Sequence, residues 1–167
     1  ANTARIEQAR TEIAAFDEAV KAIPAEDWDL GGQPAVEVMV LARLVLSGEI
    51  EFKAGNRDQG LDLLAQAIEV EERLEYTEPA AWMMPARHAY GALLIVAGRY
   101  KDAEKVYLRD LDVFPANGWA LLGLRDALRG QGRADEAAHV DQAFRKAWRS
   151  ADVMPPASCY CGEPVAK

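Results

Sequence analysis

A chain of 167 residues, half of them hydrophobic and 28% charged, has the material for one packed domain and is too apolar to stay disordered. Its 19 Lys+Arg against 27 Asp+Glu leave a net charge of -8, which excludes the basic footprint that wraps nucleic acid and argues against docking on anionic lipid. No segment reaches the run of about 18 apolar residues that inserts into a membrane. The longest candidate, Val36 to Leu46, contains Glu37 and Arg43 and reads as a buried helix.

The chain begins Ala1-Asn2-Thr3, without an initiator Met or a signal-peptide pattern. Such a start suits a processed end or the middle of a longer protein; the second is the expectation, from the resemblance given below, and the chain is expected to be soluble, with no targeting signal to set its compartment. Over residues 1–23 the apolar positions Ile6, Ala9, Ile13, Phe16, Val20 and Ile23 fall on one stripe of a helix, which Pro24 ends. Pro24, Gly31, Gly32 and Pro34 then predict a loop. A second helix is expected over about 35–54. After the Gly55-Asn56 turn a third runs from near Asp58 to about Glu75. Thr77-Glu78-Pro79 breaks the chain, and Pro85 suits the first turn of helix four, which ends at Gly98. Helix five is expected over about 100–114 before Pro115, helix six over about 117–130, and helix seven over about 134–150. Pro155, Pro156, Gly162 and Pro164 predict an irregular tail, and no stretch alternates with period two for long enough to form a strand.

Three of the turns are alike: Gly55-Asn56-Arg57-Asp58, Gly98-Arg99-Tyr100-Lys101-Asp102 and Gly132-Arg133-Ala134-Asp135. Gly98 and Gly132 stand 34 residues apart, the tetratricopeptide period, whereas Gly55 and Gly98 stand 43 apart. The extra residues are expected around Glu75 to Met84. The middle repeat is the clearest, with Gly91, Leu94, Gly98, Ala103, Tyr107 and Pro115 in their repeat positions. The first has Gly60 at the small-residue position, and the third has Asp141 where a large apolar residue is expected.

A closer resemblance covers residues 75–153. It is carried by Glu78-Pro79, Trp82, Pro85 and Arg87; by Gly91-Ala92-Leu93-Leu94; by Tyr107 and Asp110-Leu111; by Pro115, Asn117-Gly118-Trp119 and Gly123-Leu124; and by Gln131-Gly132, Ala147-Trp148 and Ala151-Asp152-Val153. This half of the chain resembles the C-terminal part of a longer family of bacterial tetratricopeptide proteins. Met83-Met84 stand where that family commonly has aromatic residues. The resemblance implies the fold and brings no established activity with it.

In such repeats the first helix of each pair lines a concave face. Here that face would receive Glu49 and Phe52 from repeat one, His88, Ala92 and Ile95 from repeat two, and Trp119, Leu122, Asp126 and Arg129 from repeat three. An aromatic anchor with mixed charges suits a peptide or protein partner; the alternative is that Phe52 and Trp119 pack on neighbouring helices. Arg87 either clamps a carboxylate or pairs with Glu71, Glu72, Glu75 or Glu78. Cys159 and Cys161 form a C-x-C motif, whose two thiolates can face a soft metal, copper as Cu(I) or zinc as Zn(II). Free thiols, a local disulfide and pairing with another chain are the other readings. With only His88 and His139, and no G-x-S-x-G, Walker or H-E-x-x-H motif, catalysis is not expected.

The expected fold is all-α, a tetratricopeptide-like α-α solenoid of about seven helices: three degenerate helical hairpins plus a leading helix. Residues 1–34 form the leading helix and linker, 35–150 the repeats, and 151–167 the tail. The expected function is an interaction scaffold or adaptor for a peptide or neighbouring protein. A metal-binding protein using the C-x-C, and a structural or self-associating domain, are the alternatives.

Overall fold

The short-range signals of the sequence reappear as seven α-helices in a computed structural model, which describes residues 5–24, 28–30 and 32–162. They are α1 (Ile6–Lys21), α2 (Ala35–Lys53), α3 (Arg57–Glu71), α4 (Ala86–Val96), α5 (Tyr100–Val113), α6 (Gly118–Gly130) and α7 (Ala134–Ala147). Among the described residues there is no strand, only an isolated bridge between Asp29 and Pro34. Residues 1–4 of the predicted first helix, Gly31 in the predicted loop and Pro164 in the predicted tail lie outside the described residues. The chain is all-α and solenoid-like, with α1 packed on α2, α2 on α3, α5 on α6 and α6 on α7. It divides into two compact units, one ending at Ala86 and the other beginning at Arg87. No helix among the described residues is long and apolar enough to cross a membrane.

The three similar turns are the same structure. In each, a glycine with positive φ (Gly55 101°, Gly98 74°, Gly132 75°) follows the helix. The next residue's N–H reaches back five residues to bond a helix carbonyl: Asn56 to Glu51 (2.9 Å), Arg99 to Leu94 (2.8 Å) and Arg133 to Leu128 (3.0 Å). The glycine N–H closes the inner bond to Phe52, Ile95 or Arg129. This is the Schellman ending, which needs a left-handed residue that only glycine adopts without steric cost.

The unit ending at Ala86 rests on α2 against α3. A Cβ on Gly60 would lie 2.6 Å from the Phe52 nitrogen and 2.7 Å from the Gly48 carbonyl oxygen, so the two backbones touch here. Leu41, Ala67, Val70 and Ala86 form the core beside them, with Leu44, Val45, Ile68, Leu74 and Trp82 packed around it. Helix α1 has no fully buried residue. It is held to α2 by a fork of Arg43 on the Asp17 carboxylate (2.6 and 2.9 Å), whose hydrogen bond also holds the Asp17 carboxyl below the usual range. Helix α3 stops at Glu71, short of the predicted Glu75. The buried Gln33 side chain takes the Glu75 backbone instead, accepting from its N–H (2.9 Å) and donating to its carbonyl (3.1 Å). The acidic stretch that follows is largely exposed, but the half-buried Glu71 accepts from the Ala86 N–H at 2.9 Å.

In the unit beginning at Arg87, Tyr107 is fully buried between Gly91 of α4 and Gly123 of α6. Leu121, Leu122 and Phe144 form a second core with Leu111, Val140 and Trp148. The unexpected Asp141 has a physical explanation. Seven residues before each turn glycine stand Gly48, Gly91 and Arg125; nine residues after it stand Leu64, Tyr107 and Asp141. In the first two repeats a small residue accepts a large one: a Cβ on Gly48 would meet Leu64 at 2.7 Å, and one on Gly91 would meet Tyr107 at 2.5 Å. In the third, the two positions hold a complementary ion pair instead, Arg125 Nη1 to Asp141 Oδ1 at 3.0 Å. Arg125 also bonds Asp126 (2.7 Å) and lies over the Phe144 ring, while Asp141 accepts from Arg145 (2.7 Å).

Burial works against ionisation of Asp141, but hydrogen bonds from Arg145 and Arg125 outweigh it and hold its carboxyl below the usual 3.8. Its contribution is therefore present above the unfolded value and lost as pH falls through the lower folded one. Asp126 runs the other way: burial raises its pKa despite Arg125, so its contribution is present below 3.8 and lost as pH rises through the raised value. In a double-mutant cycle, Arg125→Met and Asp141→Leu are each expected to destabilise by about 1–3 kcal/mol, and the pair by clearly less than the sum. The coupling, read by urea denaturation at pH 7 and again near pH 3, is expected to shrink in acid. Additive effects at pH 7 would show that the pair does not replace the small–large contact of the other repeats.

Candidate functional site

The features that converge most closely lie in the unit beginning at Arg87, where the segment after α7 folds back onto the helices. Trp148, the residue that ends α7, starts the return. Its ring packs on Gly118 and stacks on Phe144, and its Nε1–H donates to the Val153 carbonyl at 2.7 Å. Residues 151–154 are exposed, whereas Ala157, Ser158, Cys159 and Cys161 are buried.

The segment 157–162 makes specific contacts. The Ser158 hydroxyl hydrogen-bonds the Tyr107 hydroxyl at 2.5 Å, and both are buried. Burial, only partly opposed by this hydrogen bond, pushes the Tyr107 pKa up, so the phenol stays protonated and able to donate. The Tyr160 ring lies 5.7 Å from the Trp119 ring, and Trp119 in turn meets Trp148 edge-on at 5.3 Å. Gly162 fits beside Ala92, where an added Cβ would come within 3.1 Å of the Ala92 methyl. Cys159 and Cys161 are joined as a disulfide, one of the readings the spacing left open. The Gly162 N–H bonds the Cys159 carbonyl at 3.1 Å, so the segment is a disulfide-closed turn. The Cys161 sulfur lies 3.9 Å from the Ala89 carbonyl oxygen.

Beside this segment sits a buried polar cluster. Asn117 donates from Nδ2 to Asp110 (2.8 Å) and approaches His88 Nε2 at 3.0 Å; its Oδ1 caps α6 by accepting from the Trp119 N–H at 3.1 Å. His88 Nε2 also lies 3.3 Å from Asp110. Its Nε2 accepts from Asn117 or donates to Asp110 according to which ring nitrogen carries the hydrogen. Either way the cluster fixes the start of α6 and hence the position of Trp119.

The structure sorts the predicted groove residues by exposure. Phe52, His88, Ile95, Leu122 and Asp126 are buried, Glu49 and Trp119 are half-buried, and Arg129 is exposed. Phe52 packs at the α2–α3 contact under the Arg57 guanidinium, Leu122 belongs to the Phe144 core, and Asp126 is paired with Arg125. These three side chains are engaged in packing or pairing within their own units. The segment touches two residues predicted for the groove, Ala92 and Trp119, and two that were not, Ala89 and Tyr107. Tyr107 had signalled itself only as a packing residue. Nothing local in the sequence announces that its hydroxyl meets Ser158, 51 residues later.

The fold is all-α and solenoid-like, and residues 157–162 lie folded back on helices of the second unit. No family model, no curated protein and no solved structure matches the chain.

Proposed function

We propose that the chain is a tetratricopeptide-type interaction scaffold, which holds a peptide or a neighbouring protein's segment on the face formed by α4 and α6 of its second unit. The observation that carries this reading is the docked turn 157–162. A short irregular segment already lies against that face through a hydroxyl pair, an aromatic contact on Trp119 and a close fit at Ala92. The 34-residue interval between Gly98 and Gly132 and the identical turns support the repeat class. Aromatic anchors of the Trp119 kind carry most of the affinity in such interfaces.

Selection from a displayed peptide library against the full chain tests the reading. Ligands are expected whose affinity falls at least about tenfold on Trp119→Ala, with helix content retained, and is unchanged on Arg109→Ala in the exposed face of α5. A library that yields no ligand, or only ligands indifferent to Trp119→Ala, would remove it.

A second reading is favoured by the pairing of Cys159 with Cys161, which brings both sulfurs to one point. After reduction, two adjoining thiolates suit linear Cu(I), or half of a tetrahedral Zn(II) site. Reduced protein loaded anaerobically is expected to retain about one Cu(I) per chain by mass spectrometry, and Cys159→Ser/Cys161→Ser to retain none. Equal retention by the two proteins, or none by either, removes the metal reading.

A further inference from the structure

The docked turn has more chemistry than is needed to cover a helical face. Tyr107 fills the place taken by Leu64 in the first repeat, so an apolar side chain satisfies the packing there. The phenolic hydroxyl adds only one thing, a partner for Ser158. Tyr160 spends its ring on Trp119 while remaining 71% exposed, which is poor burial for a core residue and ordinary for a contact at the rim of a recognition surface. Gly162 is where the chain passes closest to α4, and a side chain there would meet Ala92. Between these points the Cys159–Cys161 disulfide and the Gly162-to-Cys159 hydrogen bond close the turn. The residues leading to it, 151–154, are exposed. The segment is thus held at its far end and tethered by an exposed stretch, as a linked ligand is.

We infer that the α4–α6 face of the second unit is a docking surface for a disulfide-closed turn with a hydroxyl residue before the first cysteine, an aromatic residue between the cysteines and a glycine after the second. The chain's own residues 157–162 occupy it in cis. This rests on the scaffold reading above and names its ligand class. The occupant is a turn of that chemistry on a partner chain. It competes with a tethered copy whose effective concentration is in the millimolar range for a short flexible link. Recognition has three parts: the Tyr107 hydroxyl reads the hydroxyl residue, Trp119 reads the aromatic, and the closeness of Ala92 favours glycine at the last position. The disulfide pays the ordering entropy in advance, so a reduced segment binds less well.

The test uses the full chain in non-reducing buffer and a dye-labelled synthetic hexapeptide with the sequence of residues 157–162, in the oxidised form, followed by fluorescence anisotropy. The cis turn is weakened by Ser158→Ala/Gly162→Val. Tyr160→Ala serves as a second variant, since that exposed side chain can be removed without disturbing the fold. The expected result is at least about tenfold tighter peptide binding by the weakened chains than by the parent, through release of the cis competitor. Binding to the weakened chains is expected to fall at least about tenfold when the peptide's serine is replaced by alanine, or when its cysteines are reduced and alkylated. Equal binding of the oxidised, alkylated and serine-lacking peptides overturns the ligand class and leaves the scaffold reading standing. Equal binding by parent and weakened chains places the peptide elsewhere and overturns the inference. Absence of binding by every chain overturns the inference and counts against the scaffold reading as well.

Discussion

Gly123→Ala is expected to destabilise the second unit by about 3 kcal/mol, net of the roughly 1 kcal/mol that alanine gains over glycine in a helix. A Cβ at this position would overlap the Tyr107 ring, which is fully buried with Gly91 on its other side. The ring cannot move toward α4, because a Cβ-sized volume at Gly91 is already filled by the same ring. Either the α5–α6 contact opens or Tyr107 leaves its site, and both disturb the hydroxyl that holds Ser158. Thermal unfolding followed by circular dichroism is expected to show a lowering of at least about 10 °C. Cutting the ring down should relieve the clash, so Gly123→Ala/Tyr107→Leu is expected to be less destabilised than the sum of the two changes. A Gly123→Ala protein within about 0.5 kcal/mol of the parent would mean that Tyr107 is not clamped as described.

Gly60→Ala is the second large effect, and it runs against the repeat pattern. The positions equivalent to Gly60, five residues after each turn glycine, are Ala103 and Ala137, so alanine looks like a repair. Here, however, an added methyl would meet the Phe52 nitrogen at 2.6 Å, the Gly48 carbonyl oxygen at 2.7 Å and the Phe52 Cβ at 2.8 Å. Two of those atoms are helix backbone, which no rotamer change moves aside. Helices α2 and α3 have to separate, and the Leu41–Ala67–Val70 core beside the contact loosens with them. The expected cost is about 2–3 kcal/mol. Peptide-resolved hydrogen exchange should place it over residues 35–71, with 100–147 less affected. Unchanged protection in α2 and α3 would refute the close backbone contact.

Gly60 and the Arg125–Asp141 pair show that departures from the shared pattern have structural counterparts. The first repeat replaces alanine with Gly60 because Gly48 and Phe52 approach so closely that no methyl fits. The third replaces glycine and an aromatic with Arg125 and Asp141 because the two changes compensate through an ion pair. Each looks like a departure when read alone. Aligning the turns and comparing positions in pairs would have exposed the charge complementarity, since both members lie in one helical hairpin.

The amino-acid sequence by itself determined what depends on neighbours within a few residues. The stripe from Ile6 to Val20, the prolines at helix boundaries and the glycines at 55, 98 and 132 specify helices and turns through hydrogen bonds that span six residues or fewer. Helix α3 ends earlier than expected, and there a distant group holds the backbone beyond it, the Gln33 side chain on Glu75; α1 and α7 also end two or three residues short of their expected limits. Only the tertiary structure decided the path of residues 151–162, the disulfide state of Cys159 and Cys161, the burial of His88 with Asp110 and Asn117, and the meeting of Tyr107 with Ser158. Those outcomes rest on contacts between residues far apart in the chain, or on competition among several states that the same residues allow. A hydroxyl, a ring and a glycine carry no local mark of which surface they will meet, because that is set by the space the packed helices leave.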